Sequence, residues 1–191
     1  MALGLPSREN RIATHLTLAE KVRLYELAAA CGGETFVEVG SYLGASACVL
    51  ARCLRNRHPG ATLSCVDTWR NDAMTEGARD TYAAFLSNLE RYQGIVIPLR
   101  GVSREVAAVF PRPVDFLFID GDHTYGGVKT DVEAWLPLLT AGATVVFHDI
   151  GWAEGVARVV RDEIAPRALS EGRLPNLYWA RLGPAPHRPV P

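Results

Sequence analysis

Along this chain, short runs of apolar residues alternate with longer stretches in which apolar residues recur every three or four positions. The short runs predict strands, and the longer stretches predict helices with one apolar face. Strands are predicted at residues 35–39, 61–67, 95–99, 114–120, 144–147 and 177–182. Helices are predicted at residues 16–30, 45–54, 75–92, 104–109, 125–139 and 154–164. Because strands and helices alternate, the pattern predicts an α/β fold with a doubly wound, mostly parallel sheet between two helical layers.

Length and charge narrow the class of protein. The 191 residues suffice for one domain with a full core and are few for two. We expect a single domain over residues 1–191, with a helical lead-in at 1–33 and a flexible tail at 183–191. The net charge of −1 provides no basic excess for nucleic acid or a membrane surface, and no apolar run approaches the roughly 20 residues of a membrane span. The chain is therefore expected to be cytoplasmic and to bind neither nucleic acid nor membranes.

Polar residues follow the ends of successive predicted strands. They are Glu38, Asp67, Gly101, Asp120 with His123, and His148 with Asp149. In an open parallel sheet, ligands bind outside the carboxyl ends of the strands. We therefore expect these residues to converge on one site at that edge of the sheet.

The stretch 35–46 predicts a strand, a tight turn containing Gly40 and Gly44, and the start of a helix. Such a junction presents backbone N–H groups and the positive end of a helix dipole to a nucleotide-like ligand. Glu38 lies two positions before Gly40, and a carboxylate there suits a cationic ligand better than a phosphate. Asp67 ends the next strand, where a carboxylate can accept hydrogen bonds from both hydroxyls of a ribose. The two acids together indicate a nucleoside-like ligand that carries positive charge.

These motifs, taken in order, resemble those of a known family. The pattern consists of Glu38-x-Gly40-x-x-x-Gly44, Asp67, the run Phe118 to Tyr125, and Phe147-His148-Asp149. It resembles class I S-adenosylmethionine (SAM)-dependent methyltransferases, in particular small bacterial O-methyltransferases related to the catechol-type and macrolide-sugar enzymes. The resemblance covers residues 35–161. It implies a Rossmann-like methyltransferase fold and transfer of a methyl group from SAM to a hydroxyl of a small molecule, in particular a specialised metabolite.

The resemblance also implies roles for individual residues. Glu38 and the backbone of the following turn would hold the methionine part of the cofactor, and Asp67 would hold its ribose. Trp69 would stack near the adenine, which Val102 and Ser103 would border. The cofactor-binding residues implied in this way are Glu38, Gly40, Ser41, Tyr42, Gly44, Ser46, Asp67, Thr68, Trp69, Val102, Ser103 and Asp120.

His123 and Asp120 are the implied catalytic residues. His123 lies three residues after Asp120, where the catechol-type enzymes place a catalytic lysine. An imidazole titrates near neutral pH, so it can take the proton of an attacking hydroxyl. The alternative is a histidine that only caps the following helix or bonds a backbone group.

Asp120 and Asp149 would share a divalent cation such as magnesium, because hard cations prefer oxygen ligands. In the catechol-type enzymes an asparagine follows the second acid, whereas this chain has Ile150, which cannot ligate. The third ligand would then be His148, another residue or water. Alternatively, the two acids cap turns or hold the amine of the cofactor.

Two other functions share part of the pattern. A nicotinamide-dependent oxidoreductase would have GxGxxG, whereas this chain has Gly40-Ser41-Tyr42-Leu43-Gly44 with an acid at Glu38. A SAM-binding protein without catalysis would keep Glu38 and Asp67 and would not need His123. The acceptor is not specified, although oxygen is favoured over nitrogen. Its contacts are expected from residues 69–75, residues 148–154 and the leading helix, which is alternatively a homodimer interface.

Overall fold

A computed structural model describes residues 9–71 and 77–183 of the chain, so the predicted tail from residue 184 onward lies outside the described residues. One seven-stranded sheet organises the structure, with strand order β3-β2-β1-β4-β5-β7-β6. The strands are β1 Thr35–Val39, β2 Thr62–Asp67, β3 Val96–Arg100, β4 Val114–Ile119, β5 Leu139–His148, β6 Ala168–Leu174 and β7 Leu177–Leu182. The first five strands are parallel, and β7 pairs antiparallel with both β5 and β6. The predicted mostly parallel α/β sheet is confirmed.

Helices cover both faces of this sheet. They are α1 Leu18–Ala30, α2 Ala45–Arg57, α3 Tyr82–Leu89, α4 Ser103–Ala108, α5 Tyr125–Trp135 and α6 Glu154–Val159. One buried cluster contains residues of α1, α2 and α3, and the other contains residues of α4, α5 and α6. Strand β1 lies between β2 and β4, and its residues alternate between the clusters, with Phe36 in the first and Val37 in the second. The result is the predicted three-layer α/β/α arrangement. No helix among the described residues is long and apolar enough to cross a bilayer.

The helix predicted at 75–92 is shorter than its sequence suggested. Residues 75 and 76 lie outside the described part of the chain, and α3 begins only at Tyr82. The N–H groups of Arg79 and Thr81 donate to the carbonyls of Arg70 and Trp69. Because these N–H groups bond the chain that follows β2, residues 77–81 cannot form a helical turn of their own.

The helices after β4 and β5 also end earlier than predicted. The helix predicted at 125–139 ends at Trp135, because Pro137 lacks an N–H group, and a 3₁₀ turn follows at Leu136–Leu138. Strand β5 then starts at Leu139, five residues before its predicted start. The helix predicted at 154–164 is divided into α6 and a π-helical turn at Val160–Ile164.

The sequence patterns missed one strand, β6. It lies at the edge of the sheet and carries exposed polar residues such as Ser170 and Glu171, so it lacks the apolar alternation that predicts a strand. Gly172 allows the ring of Trp179 on β7 to pack against its backbone, since a Cβ at this glycine would overlap that ring. With β6 and β7, two strands follow the last helix.

Candidate active site

A cavity of about 410 Å³ lies at the carboxyl ends of the parallel strands. Its volume falls within the range of about 300–1,000 Å³ that is usual for small-molecule sites. The predicted site residues that line it are Gly40, Tyr42, Asp67, Thr68, Val102, Ser103 and Asp120. Four strand ends therefore contribute to this cavity, as the sequence predicted.

A second cavity of about 60 Å³ adjoins the first. Its lining includes Gly40, Ser41, Tyr42, Ser46, Asp120, His123, His148 and Asp149. Residues 13–15, which precede α1, form part of its wall. Gly40, Tyr42 and Asp120 line both cavities, so these residues mark the boundary at which the contents of the two cavities would meet.

The turn after β1 requires glycine at Gly40. Its φ is +85°, and a Cβ at this position would overlap the carbonyl group of Asp120. The N–H of Gly40 donates to Val66, and the N–H of Asp120 donates to Val39. The absence of a side chain at Gly40 thus lets the turn approach the end of β4. Gly44, also in the left-handed region, precedes α2 and faces Phe85 rather than a cavity.

Asp67 closes this turn from the neighbouring strand. Its Oδ2 accepts hydrogen bonds from the N–H groups of Ser41 and Tyr42, each at 2.9 Å, and its Oδ1 accepts one from the N–H of Trp69 at 2.7 Å. The carboxylate also lines the larger cavity. Because an ionised carboxylate has about four lone-pair sites, it retains limited capacity for a ligand.

The structure corrects the role predicted for Glu38. This side chain is fully buried beneath the turn and is absent from the linings of these two cavities. Its Oε2 accepts hydrogen bonds from Ser41 Oγ at 2.6 Å and from Cys65 Sγ at 3.4 Å. Burial raises the pKa of Glu38 to about 7, although hydrogen bonds from Ser41, Ser46 and Cys65 partly oppose the shift. Glu38 therefore supports the turn from below and does not reach a ligand in the cavity.

The structure also corrects the stacking role predicted for Trp69. Its indole is fully buried, with ring centroids 4.8 Å from Tyr82 and 4.6 Å from Phe85. The indole N–H donates to the carbonyl of Tyr42 at 3.0 Å. The φ of Trp69 is 52°, a left-handed conformation that turns its side chain away from the cavity and into the core. Trp69 thus holds the turn and α3 together.

His123, His148 and two carboxylates form a cluster at the smaller cavity. His123 Nε2 lies 2.8 Å from Asp149 Oδ2. His148 Nδ1 lies 3.1 Å from Asp120 Oδ1 and 3.2 Å from Asp149 Oδ1. Asp120, His123 and Asp149 offer ligand atoms that all lie within 4.8 Å of one another. The third residue of this candidate metal group is therefore His123, whereas the sequence suggested His148.

Charge coupling within the cluster shifts its pKa values. Burial would lower the pKa of His148, but its hydrogen bonds with Asp120 and Asp149 raise it to about 10. Burial raises the pKa of Asp120, and a hydrogen bond with His148 opposes that shift. Burial disfavours ionisation of Asp149 as well, yet hydrogen bonds from His123 and His148 prevail and its pKa lies below the ordinary value. The hydrogen bond with Asp149 raises the pKa of His123. The two carboxylates thus favour the protonated form of His148.

Three further residues complete the cluster. The sequence patterns included Glu20 and Trp152 only within broad ranges of expected acceptor contacts, and they did not include Asn176. Glu20, on α1, places Oε2 3.6 Å from His148 Nε2. Asn176, in the turn between β6 and β7, donates from Nδ2 to Asp149 Oδ1 at 2.9 Å. Trp152 donates its indole N–H to the same oxygen at 2.7 Å. Glu20 was explained in the sequence by its capping box with Thr17, which the structure confirms. Asn176 was missed because it adjoins β6, the strand that the sequence patterns did not predict.

Asp131 is another buried acid at the larger cavity. It lies on α5 and is 7% exposed. Burial raises its pKa from 3.8 to about 6, and a hydrogen bond with Ser103 partly opposes the shift. A folded-state pKa above the unfolded one means that ionisation of this group destabilises the fold.

Replacing Asp131 by Asn should therefore stabilise the protein in a pH-dependent way. Below about pH 4 the carboxyl is protonated in both states and the burial cost is absent. As pH rises from about 4 to about 6, only the unfolded state ionises, so the stability of the wild type falls. We expect Asp131→Asn to raise the free energy of unfolding by about 2 kcal/mol at pH 7.5 and to change it little at pH 4. Urea unfolding at both pH values measures the effect.

The matched control is Glu133→Gln, which neutralises an exposed carboxylate on the same helix. It should change the free energy of unfolding little at either pH. An equal effect of Asp131→Asn at both pH values would contradict the proposed cost of its ionisation.

Comparison with known sequences identifies the family. A family model described as a methyltransferase domain matches residues 37–150, more than half of the chain. The protein y4gI of Sinorhizobium fredii is 29% identical over 115 residues, which are 59% of this chain and 13% of that protein. The chain thus spans about an eighth of the length of this relative.

Solved structures with the same fold include several methyltransferases. The O-methyltransferase TomG of Streptomyces achromogenes, solved with SAM, has a TM-score of 0.68 at 17% identity, covering 90% of this chain and 82% of its own. CalS11, a TDP-rhamnose 3′-O-methyltransferase, has a TM-score of 0.67 at 18% identity, covering 93% and 87%. An O-methyltransferase of Bacillus cereus in complex with SAH has a TM-score of 0.66 at 17% identity, covering 90% and 85%.

At these identities the structural similarity concerns the fold alone. The family model, by contrast, spans β1 to the end of β5 and with them the strand ends that line both cavities. This chain therefore belongs to the methyltransferase domain family.

Proposed function

We propose that this protein is a SAM-dependent O-methyltransferase in which His123 takes the proton of a small-molecule hydroxyl. The observation that carries the proposal is the shared boundary of the two cavities at Gly40, Tyr42 and Asp120. The larger cavity has the volume for a cofactor, and the smaller one contains His123. A methyl donor in the first would thus meet an acceptor hydroxyl in the second.

The lining of the larger cavity suits SAM. Asp67 lies beside the turn and can accept from a ribose hydroxyl, while Val102 and Ser103 line the same cavity and would border the adenine. Asp120, at the boundary, would place a carboxylate near the sulfonium and ammonium charges of the methionine part. Methyl transfer is an in-line displacement whose barrier falls mainly through positioning. TomG and the Bacillus cereus enzyme, which share the fold, were solved with SAM and SAH.

His123 is the group best placed to act on the acceptor. Its side chain is 26% exposed, and Asp149 holds one ring nitrogen at 2.8 Å. A general base must be neutral, so the higher pKa that Asp149 gives His123 moves the reactive form to higher pH. A cavity of about 60 Å³ admits only the hydroxyl-bearing end of an acceptor. The rest would extend past Trp152, which is 65% exposed and whose ring lies 5.0 Å from His123.

The acceptor is proposed to be a specialised metabolite. TomG takes part in tomaymycin synthesis and CalS11 in calicheamicin biosynthesis. An exposed aromatic ring beside the base is compatible with a cyclic acceptor of this kind, because such rings stack on indole. The leading helix α1 contributes Glu20 to the cluster, so it belongs to the site. Its alternative role in a homodimer interface stays a prediction.

The turn after β1 argues against the oxidoreductase alternative. In a dinucleotide site, backbone N–H groups of the glycine turn bind pyrophosphate. Here the N–H groups of Ser41 and Tyr42 already donate to Asp67, and that carboxylate would repel a phosphate. The cavity thus favours a nucleoside without phosphate.

A divalent cation is a second candidate component of the site, and the donor set fits it. Asp120 and Asp149 could hold the ion, which would offset the repulsion between the two carboxylates and orient an acceptor oxygen. If His123 is the third ligand, its ring nitrogen no longer serves as the base, and the ion activates the hydroxyl instead. Without an ion, protonation of His148 offsets the same repulsion. We expect that an excess of chelator abolishes turnover and that magnesium or manganese restores it. Full turnover in excess chelator would contradict a metal requirement, and Asp120 and Asp149 would then act only as hydrogen-bond partners of His123 and His148.

The proposed function is tested by titration calorimetry with S-adenosylhomocysteine and with NADH, followed by an acceptor screen with methyl-labelled SAM. We expect S-adenosylhomocysteine to bind and NADH to show no binding. Binding of NADH alone would identify an oxidoreductase. Binding of S-adenosylhomocysteine without labelled product from any acceptor would favour the non-catalytic alternative.

A further inference from the structure

Two buried polar atoms at the larger cavity have no hydrogen-bond partner among residues 9–71 and 77–183. They are Asn71 Oδ1 and Thr81 Oγ1. Asn71 is 7% exposed and Thr81 is 3% exposed, and both residues line the cavity. Leaving such an atom unpaired costs about 1–3 kcal/mol, and native proteins rarely do so. Because both residues also line the cavity, a ligand bound there could supply the missing partners after a small movement of these side chains.

Thr81 does not make the local hydrogen bond that its position offers, and Asn71 uses only its donor group. Thr81 precedes α3 at the N-cap position, where a threonine oxygen ordinarily accepts from a helix N–H. In the described structure its side chain makes no such bond. Asn71 donates from Nδ2 to the carbonyl of Gly77 at 2.7 Å, which fixes the amide and leaves Oδ1 free. Its φ of 56° is a conformation that asparagine tolerates better than most residues.

The surrounding chain holds both atoms in place. The N–H of Thr81 donates to the carbonyl of Trp69 at 3.0 Å, so residues 69–71 and 77–81 are fastened together. The fully buried indole of Trp69 anchors this pair of segments in the core. As a result, Asn71 and Thr81 share a cavity wall with Asp67 and Thr68, the residues at the end of β2.

The two unpaired oxygen atoms of Asn71 and Thr81 require a ligand that donates hydrogen bonds. An amide oxygen only accepts, and a hydroxyl accepts or donates. Asp67 already accepts three N–H hydrogen bonds, from Ser41, Tyr42 and Trp69, so it cannot fully serve two further hydroxyls. A ribose offers two adjacent hydroxyls that each donate and accept.

We propose that Asn71 and Thr81 bind the ribose hydroxyls of the cofactor together with Asp67, an inference that rests on the SAM dependence proposed above. Asn71 Oδ1 accepts from one hydroxyl, and Thr81 Oγ1 pairs with the other. Asp67 can then keep its hydrogen bonds with the turn and still contact the ribose, because Asn71 and Thr81 accept the ribose hydrogen bonds for which Asp67 has no free lone pair.

The test is Thr81→Val, which keeps the shape of the side chain and removes the hydroxyl. We expect the affinity for S-adenosylhomocysteine, measured by calorimetry, to fall about 3- to 10-fold. The melting temperature of the ligand-free protein should not fall, because the lost hydroxyl had no partner in the fold. Asn71→Gly, which keeps the left-handed backbone accessible, should weaken binding similarly.

Thr140→Val is the matched control, since the Thr140 hydroxyl donates to Asp115 Oδ1 at 2.9 Å and neither residue lines either of the two cavities. This variant should lower the melting temperature and leave the affinity unchanged. The two threonine variants are thus expected to show opposite patterns. Unchanged affinity in Thr81→Val would overturn the proposal.

Analogues of the ligand identify the group that is bound. With the 2′,3′-dideoxyribose analogue of S-adenosylhomocysteine, the affinity difference between wild type and Thr81→Val should disappear. With S-inosylhomocysteine, which lacks the adenine amino group, the difference should remain. The reverse pattern would assign the contact to the base and overturn the ribose assignment. A wild type that binds none of these compounds would overturn the proposed function, and this inference with it.

Discussion

Replacing His123 by Ala should lower turnover by about 10²- to 10⁴-fold, the usual contribution of a positioned general base. His123 lines the smaller cavity, contacts Asp149 and retains access to solvent. His148, by contrast, is fully buried and held between two carboxylates, so it cannot readily take the acceptor proton. The affinity for S-adenosylhomocysteine should change little, because the lining of the larger cavity does not include His123.

Steady-state kinetics and calorimetry on the same variant separate catalysis from binding. His58→Ala is the matched control, because His58 bonds Ala28 at 3.0 Å and lies outside both cavity linings formed by the described residues. It should leave turnover per folded molecule unchanged. If His123→Ala retains full turnover, the general-base role is refuted. If it loses affinity for a divalent cation together with turnover, His123 acts as a ligand of that cation.

Replacing Gly40 by Ala should destabilise the protein by about 2–5 kcal/mol and abolish cofactor binding. A left-handed φ costs a non-glycine residue about 1–2 kcal/mol. Overlap of the new Cβ with the backbone of Asp120 adds about 1–3 kcal/mol, because backbone cannot move aside as a flexible side chain can. The displacement would separate Gly40 from Asp120, and these two residues define the boundary between the cavities.

Gly60→Ala provides the matched control for this prediction. Gly60 has a similar φ of +92°, but no described atom would lie within 4 Å of an added Cβ. Its substitution should cost only the backbone strain, about 1–2 kcal/mol, and should leave affinity for S-adenosylhomocysteine unchanged. Urea unfolding of the two variants measures the difference. Equal losses of stability would show that the close approach of Gly40 to Asp120 is not required.

The convergence of the strand-end residues could be predicted because their positions follow from the geometry of parallel sheets. Asp67, Asp120, His123 and Asp149 end neighbouring strands or follow them closely, and parallel strands finish at one edge. The alternation of strands and helices along the chain was therefore enough to predict that these residues converge. Whether a given side chain reaches the cavity depends on local backbone angles, which that alternation does not contain.

Trp69 and Glu38 lie at the predicted strand ends, but their side chains do not reach the cavity. The sequence placed both in the cofactor site by their positions in motifs. Trp69 adopts a left-handed φ and turns into the core, and Glu38 lies one layer below the turn that it was expected to serve. Asp67, and not Glu38, therefore disfavours a ligand with a phosphate, because its carboxylate accepts hydrogen bonds from the N–H groups of the turn.

The sequence by itself determined the α/β architecture, the glycine turn and the set of strand-end acids and histidines, because each depends on local periodicity or on a short motif. Tertiary structure alone decided the partners of those residues. Glu20 and Asn176 meet His148 only because α1 and the β6–β7 turn pack against the end of β5. Asn71 and Thr81 were likewise ordinary polar residues until folding buried their oxygens without partners. Such contacts join distant parts of the chain, and the energy that selects them comes from burial and hydrogen bonding in the assembled fold.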